Sequence, residues 1–165
     1  MPIEIDAGCN LFLPEAGPGD RERFAGLFRS AWEQIPLDGR EAICKWWAKR
    51  ILTQAASPVI DFLLGYHLAG ECREFGHTIF FNADVAVAMP DDILRHLIGH
   101  ELAHVWHYSN PASATNKTPG NVKAKEEEAD ALADSWGFRM ADLRTWANAN
   151  SGTIVDRTGN PNIGW

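Results

Sequence analysis

The run from Pro90 to Pro111, PDDILRHLIGHELAHVWHYSNP, decides how the chain is read, because it has the start, the stop and the periodicity of one amphipathic helix. Pro90 sits at the first turn, where its missing N–H costs nothing, and Asp91 and Asp92 lie at the positive end of the helix dipole. Asn110-Pro111 closes the helix, since the residue before proline is pushed out of helical geometry. Each helical residue advances about 100°, so His100 and His104 project side by side, one turn apart, and two imidazoles so placed can share a metal ion. Glu101 lies about 100° round from His100, within reach of a water on that metal but turned away from being a ligand itself. Leu94, Ile98, Leu102 and Val105 gather on the opposite side, so one face is predicted to pack inward while the histidine face lines a cleft.

A catalytic zinc takes three protein ligands and keeps one position open for water. His96 and His107 extend the histidine column, but a straight helix cannot wrap several turns around one ion, so both are expected to line the cleft or to support the ligands, or equally to be plain exposed polar residues. The longer zinc motif with a third histidine is not present: Asn110 stands at that position and His107 replaces the motif's glycine. The candidate for the third ligand is Lys125-Glu126-Glu127-Glu128-Ala129-Asp130, expected on a helix from about Val122 to Trp136 with Gly137 as its stop. Glu126 and Asp130 are one turn apart, so Glu126 could bind the metal while Asp130 accepts the outer N–H of a ligating histidine. Ala129 and Ala133 permit close helix approach, and Glu127 and Glu128 are expected to be solvated.

Together these residues resemble the gluzincin metallopeptidases, whose pattern is His-Glu-x-x-His followed by Glu-x-x-Ala-Asp on a later helix; here the two segments read HELAH and EEEAD. Similar pairs occur in HtpX-like and CAAX-processing peptidases, and a related arrangement in the ImmA and IrrE regulators. The resemblance covers roughly residues 77 to 138. It implies one zinc ion per chain, held by His100, His104 and Glu126, with Glu101 as general base on zinc-bound water and Asp130 as the acidic partner. It implies a peptide or protein substrate, cleaved as by a zinc metalloendopeptidase. The segment Ile79 to Asp84 resembles the zincin edge strand that holds substrate by strand addition, which would turn Asn82 and Ala83 towards the peptide. No Tyr or His follows Glu126, so the group that stabilises an oxyanion is sought among His67, His77, His107, Tyr108 and Arg139. A second reading is a zincin-fold regulatory or interaction module that binds zinc without cleaving peptides.

Outside the motif the chain reads as α+β and zincin-like: a small, mostly antiparallel sheet packed on the motif helix, with added N- and C-terminal helices. Its 165 residues suit one domain, divided into an N-terminal helical portion (1–56), a catalytic core (57–150) and a polar tail (151–165). Asp20 is expected to cap a helix carrying Phe24, Leu27, Phe28 and Trp32; Pro36 and Gly39 interrupt it, and a second helix covers about 40–54. Strands are expected at Val59–Leu64, Thr78–Phe81 and Val85–Val87, and a last helix at about 139–148. A formal charge of −7 with scattered Lys and Arg offers no surface for phosphates, which argues against nucleic acid. No apolar run is long enough for a bilayer, so no membrane contact is expected. Three dispersed cysteines (Cys9, Cys44, Cys72) read as reduced thiols, and with no secretory signal the expected compartment is the cytoplasm.

Overall fold

The computed structural model describes residues 2–6, 9–12, 18–54, 59–63, 70–73 and 76–150. Helices and one sheet are mixed within it. In chain order the elements are β1 (Pro2–Asp6), β2 (Cys9–Phe12), α1 (Pro18–Gln34), α2 (Leu37–Gln54), β3 (Val59–Leu63), β4 (Gly70–Arg73) and β5 (Thr78–Asn82). They continue with α3 (Ala83–Ala88), α4 (Asp91–Ser109), α5 (Ala114–Lys117), α6 (Val122–Ser135) and α7 (Met140–Asn150).

The motif helix α4 is the hub. It packs against α1, α2, α5, α6, α7 and strand β4, which is why it is apolar well beyond one stripe. Leu94, Ile98, Leu102 and Val105 are all within 1% of full burial, as their common phase predicts. Aromatic residues of α1 and α2 complete the core on that side: Trp32 and Trp47 stack with ring centroids 5.8 Å apart, and Phe24 meets Phe81 of β5 edge-on at 5.1 Å. Arg23 fastens α1 to the α3–α4 junction by donating to the carbonyls of Ala86 and Met89 and pairing with Asp91 at 2.7 Å.

Helix α1 begins at Pro18, two residues before the expected cap. Helix α2 begins at Leu37, directly after Pro36, and carries Gly39 inside it. Gly39 is needed for closeness rather than for a break. A Cβ there would stand 2.9 Å from Ile35 Cγ2 and 3.4 Å from the Trp136 ring.

The five strands form one sheet in the order β1-β2-β3-β5-β4. Pairs β1–β2 and β4–β5 are antiparallel, whereas β2–β3 and β3–β5 are parallel. The sheet is therefore mixed, with antiparallel pairing at its two edges and parallel pairing in the middle, and the N-terminal portion is not wholly helical because it contributes β1 and β2. Strand β5, with Ile79 and Phe81 fully buried, runs inside the sheet. The edge next to α4 is β4, which corrects the expectation of an edge strand at Ile79–Asp84.

Val85–Val87 is helical, not extended. Asn82 ends β5, and its Oδ1 accepts the N–H groups of Asp84 at 3.0 Å and Val85 at 3.1 Å, so the side chain nucleates α3. An N-cap of this kind outweighs the weak strand preference of two valines. After α4, the polar loop expected at 113–121 contains the single turn α5. Asn121 caps α6 by accepting from Ala124, and Gly137, at φ +89°, ends it in a left-handed turn closed by Phe138 N–H to the Ala133 carbonyl at 3.0 Å. Among the described residues no helix is long and apolar enough to cross a membrane.

Candidate metal centre

Helices α4 and α6 cross closely because Ala129 and Ala133, both fully buried, leave no side chain between them. That approach carries Glu126 to the histidine pair. Nε2 of His100 lies 3.1 Å from Nε2 of His104 and 3.1 Å from Glu126 Oε2, and His104 Nε2 lies 3.2 Å from Glu126 Oε1. Two imidazole nitrogens facing each other can share at most one proton, so the triangle is crowded with lone pairs. Ligands about 2.0–2.1 Å from a tetrahedral zinc are themselves separated by about 3.3–3.4 Å, close to the spacing found here. His100, His104 and Glu126 thus form a group that could hold a metal ion.

The surroundings orient these side chains. His100 Nδ1 lies 2.8 Å from Asp130 Oδ1, and Asp130 is held in turn by Arg144 of α7, whose guanidinium nitrogen reaches its two oxygens at 2.8 and 3.1 Å. Burial disfavours charge on His100, yet Asp130 and Glu126 on its two nitrogens override this and raise its pKa to about 9. Burial works the other way on Glu126, but His100 and His104 outweigh it and hold the carboxyl well below its usual range. Asp130 is likewise lowered: burial opposes, while His100 and Arg144 prevail.

Glu101 is 2% exposed, and its Oε2 has no hydrogen-bond partner among the described residues. Burial pushes its carboxyl up, against the pull of His100 and His104. A buried carboxylate beside a cluster of metal-ligand atoms, with an oxygen still to be satisfied, fits a group that exchanges protons with something held at that cluster. Across from it is Gly70 of β4. The two come so close that an alanine Cβ at 70 would stand 2.7 Å from Glu101 Oε1.

A pocket of about 320 Å³ opens over the cluster, walled by β4 (Gly70, Glu71, Cys72), by Tyr108, and by Leu143 and Arg144 of α7. Of the five residues considered for oxyanion stabilisation, Tyr108 lines this pocket. Burial pushes its phenol up, so it remains a hydrogen-bond donor. His107 instead contacts the Glu128 carbonyl at 3.1 Å, Arg139 pairs with Asp142, and His77 contacts Thr78 Oγ1; none of these three lines the pocket. His67 lies outside the described residues.

Other sequence expectations shift. His96 does not line the cleft: it is buried against the Phe138 ring and its Nδ1 accepts the Arg139 N–H at 3.4 Å. Asn82 is fully buried as the cap of α3 and Ala83 opens that helix, so neither belongs to an exposed substrate strand. Glu128 is no mere solvated acid. Its Oε2 accepts the Ala114 N–H at 2.8 Å and lies 3.7 Å from His107 Nδ1. Cys72, half-buried on β4, lines the pocket, and burial pushes its thiol well up, leaving it a poor nucleophile. Arg144 and the β4 residues escaped the sequence reading. Only Arg144 had a usable signal, beside Leu143 and Ala147 on the buried side of α7. Comparison of the chain with protein-family models, curated proteins and solved structures gives no match.

Proposed function

We propose that this chain is a zinc-dependent endopeptidase of gluzincin type, with His100, His104 and Glu126 as the metal ligands and Glu101 as the general base. The observation that carries the reading is the convergence of three side chains, whose facing nitrogen and oxygen atoms lie 3.1–3.2 Å apart, beside a buried carboxylate that lines the same pocket and has one oxygen unpartnered among the described residues. A zinc ion held by His100, His104 and Glu126 would supply Lewis acidity there, bringing the pKa of a bound water to about 7 and polarising a carbonyl oxygen. Glu101 would accept the water proton at Oε2, unpartnered among the described residues, and return it to the leaving amine. Asp130 fixes the tautomer of His100 so that Nε2 keeps its lone pair for the metal. Tyr108 donates its phenolic O–H to the developing oxyanion. The outer edge of β4, which pairs with no further strand among the described residues, is where an extended peptide would lie, with its backbone groups pairing to those of Gly70–Arg73.

The test joins metal content to activity. Purified protein should hold one zinc per chain by elemental analysis. Glu126→Ala should lose it, whereas Glu127→Ala, whose side chain is two-thirds exposed and paired with Lys123, should keep it. Glu101→Gln should retain the metal and lose cleavage of a degenerate peptide library read by mass spectrometry. A Glu101→Gln protein as active as wild type would refute the assigned role.

A further inference from the structure

A second groove, of about 530 Å³, lies between α2 and the end of α4, and Tyr108 forms part of the wall of both it and the metal-site pocket. Its character is unlike that of the molecule. The chain carries a formal charge of −7, yet the groove presents Lys45 and Lys49, one turn apart on α2, and none of its described wall residues is acidic. Trp46, Tyr108 and Pro111 supply flat apolar surface between the charges. The Lys49 ammonium lies 5.7 Å from the Trp46 ring centroid, which draws it over the groove.

The plainest alternative is that these lysines serve the carbonyl end of the α4 dipole. That end is already supplied with donors. Ser109 Oγ donates to the Trp106 carbonyl, Ser113 Oγ to that of His107, and Asn116 Nδ2 to those of His107, Tyr108 and Asn110. Among the described residues neither lysine is paired with an acid, so both ammonium groups are open to a charge from outside. An acidic protein repels an acidic peptide over most of its surface, so a local reversal of sign beside the reaction pocket acts both as attraction and as register.

We propose that this groove selects acidic peptides: a substrate held at the metal site runs past Tyr108, and Lys45 and Lys49 take carboxylate side chains on its far portion. This rests on the peptidase reading for the identity of the ligand as a peptide, but its test is separate. Full-length Glu101→Gln protein, loaded with zinc, is titrated with fluorescein-labelled decapeptides carrying an Asp-Asp pair at successive positions, each matched by an Asn-Asn control. Fluorescence anisotropy should show Asp-Asp peptides binding about tenfold tighter at the favoured position, the combined worth of two solvent-exposed ion pairs, and the advantage should shrink with added salt.

Lys45→Glu with Lys49→Glu, both exposed positions, should reverse the preference towards Lys-Lys peptides while zinc content and circular dichroism stay unchanged. Mere damage to the fold could not produce that swap. On the wild-type enzyme the Asp-Asp pair should lower KM with little change in kcat. Equal binding of Asp-Asp and Asn-Asn peptides, or a preference that survives charge reversal, would overturn the assignment. Acidic peptides that bind through the lysines but are not cleaved would sink the hydrolysis reading and leave the groove standing; cleavage indifferent to acidic residues would do the opposite.

Discussion

Replacing Gly70 by alanine asks whether Glu101 acts from where it sits. The added Cβ would lie 2.7 Å from Oε1, 3.3 Å from Cδ and 3.4 Å from Cγ of Glu101, and ordinary contact begins at 3.4 Å. The carboxyl group must therefore retreat by about 0.7 Å, with no slack along its stem to share the movement. Swinging a side chain off its rotamer costs about 0.5–1.5 kcal/mol, so the melting temperature should fall by only a few degrees. Function should suffer more. A misplacement of about 1 Å costs roughly a hundredfold in rate, which puts the expected loss of kcat at roughly ten- to a hundredfold, with zinc content and KM little changed. Gly26→Ala on α1, where a Cβ meets nothing within 4 Å, is the control and should be as active as wild type and slightly more stable. Steady-state kinetics with elemental analysis decides the matter. If Gly70→Ala protein keeps full kcat, the proton acceptor is not Glu101 in the position described.

Asp130→Asn should weaken zinc binding about 10–100-fold, measured by competition with a chelating dye, because the outer nitrogen of His100 loses its charged partner. Arg144→Gln should give a smaller loss in the same direction, and an effect larger than that of Asp130→Asn would show that Arg144 acts by some other route. In the metal-free protein the raised pKa of His100 means that the folded state holds a proton the unfolded chain has released. Stability in EDTA should therefore be fully present below pH 6.5 and decline as pH rises towards about 9. Zinc requires the neutral imidazole and should remove that slope; urea denaturation across the range, flat in EDTA, would contradict the protonation described. Gly99→Ala places a Cβ within 2.5–2.7 Å of the Phe138 ring, and overpacking of this kind should cost about 1–3 kcal/mol in chemical denaturation. An unchanged midpoint would mean that α4 and the α6–α7 turn are not in the contact seen.

What was legible in the sequence was what helical periodicity controls. The spacing of His100 and His104, the opposed aliphatic residues and the start at Pro90 are local, and α4 forms where they say. The sheet was harder because strand order is a matter of pairing between distant segments. Nothing local in TIFFN says that β5 will have β3 on one side and β4 on the other, so which strand forms the edge is not written in that segment. Val85–Val87 misled for a related reason: three residues of strand-like composition were overruled by one Asn82 side chain bonded to two backbone N–H groups. Arg144 was hidden because its partner is 14 positions away on a separate helix.

The segment EEEAD shows how much one turn and a quarter of helix can encode. Its five residues differ mainly in phase, and phase gives each a separate task. Glu126 faces the histidines; Glu127 points to solvent with Lys123; Glu128 reaches back to Ala114 and His107; Ala129 is the point of closest packing on α4; Asp130 returns to His100 one turn above Glu126. The latch made by Glu128 and the gap left by Ala129 fix the rotation of α6, and that rotation decides which of three adjacent glutamates reaches the histidine pair. Moving the acid by one place would turn it about 100° away from the histidines. Which glutamate joins His100 and His104 is therefore set by the packing of α6 on α4 and α5 as much as by the presence of a glutamate.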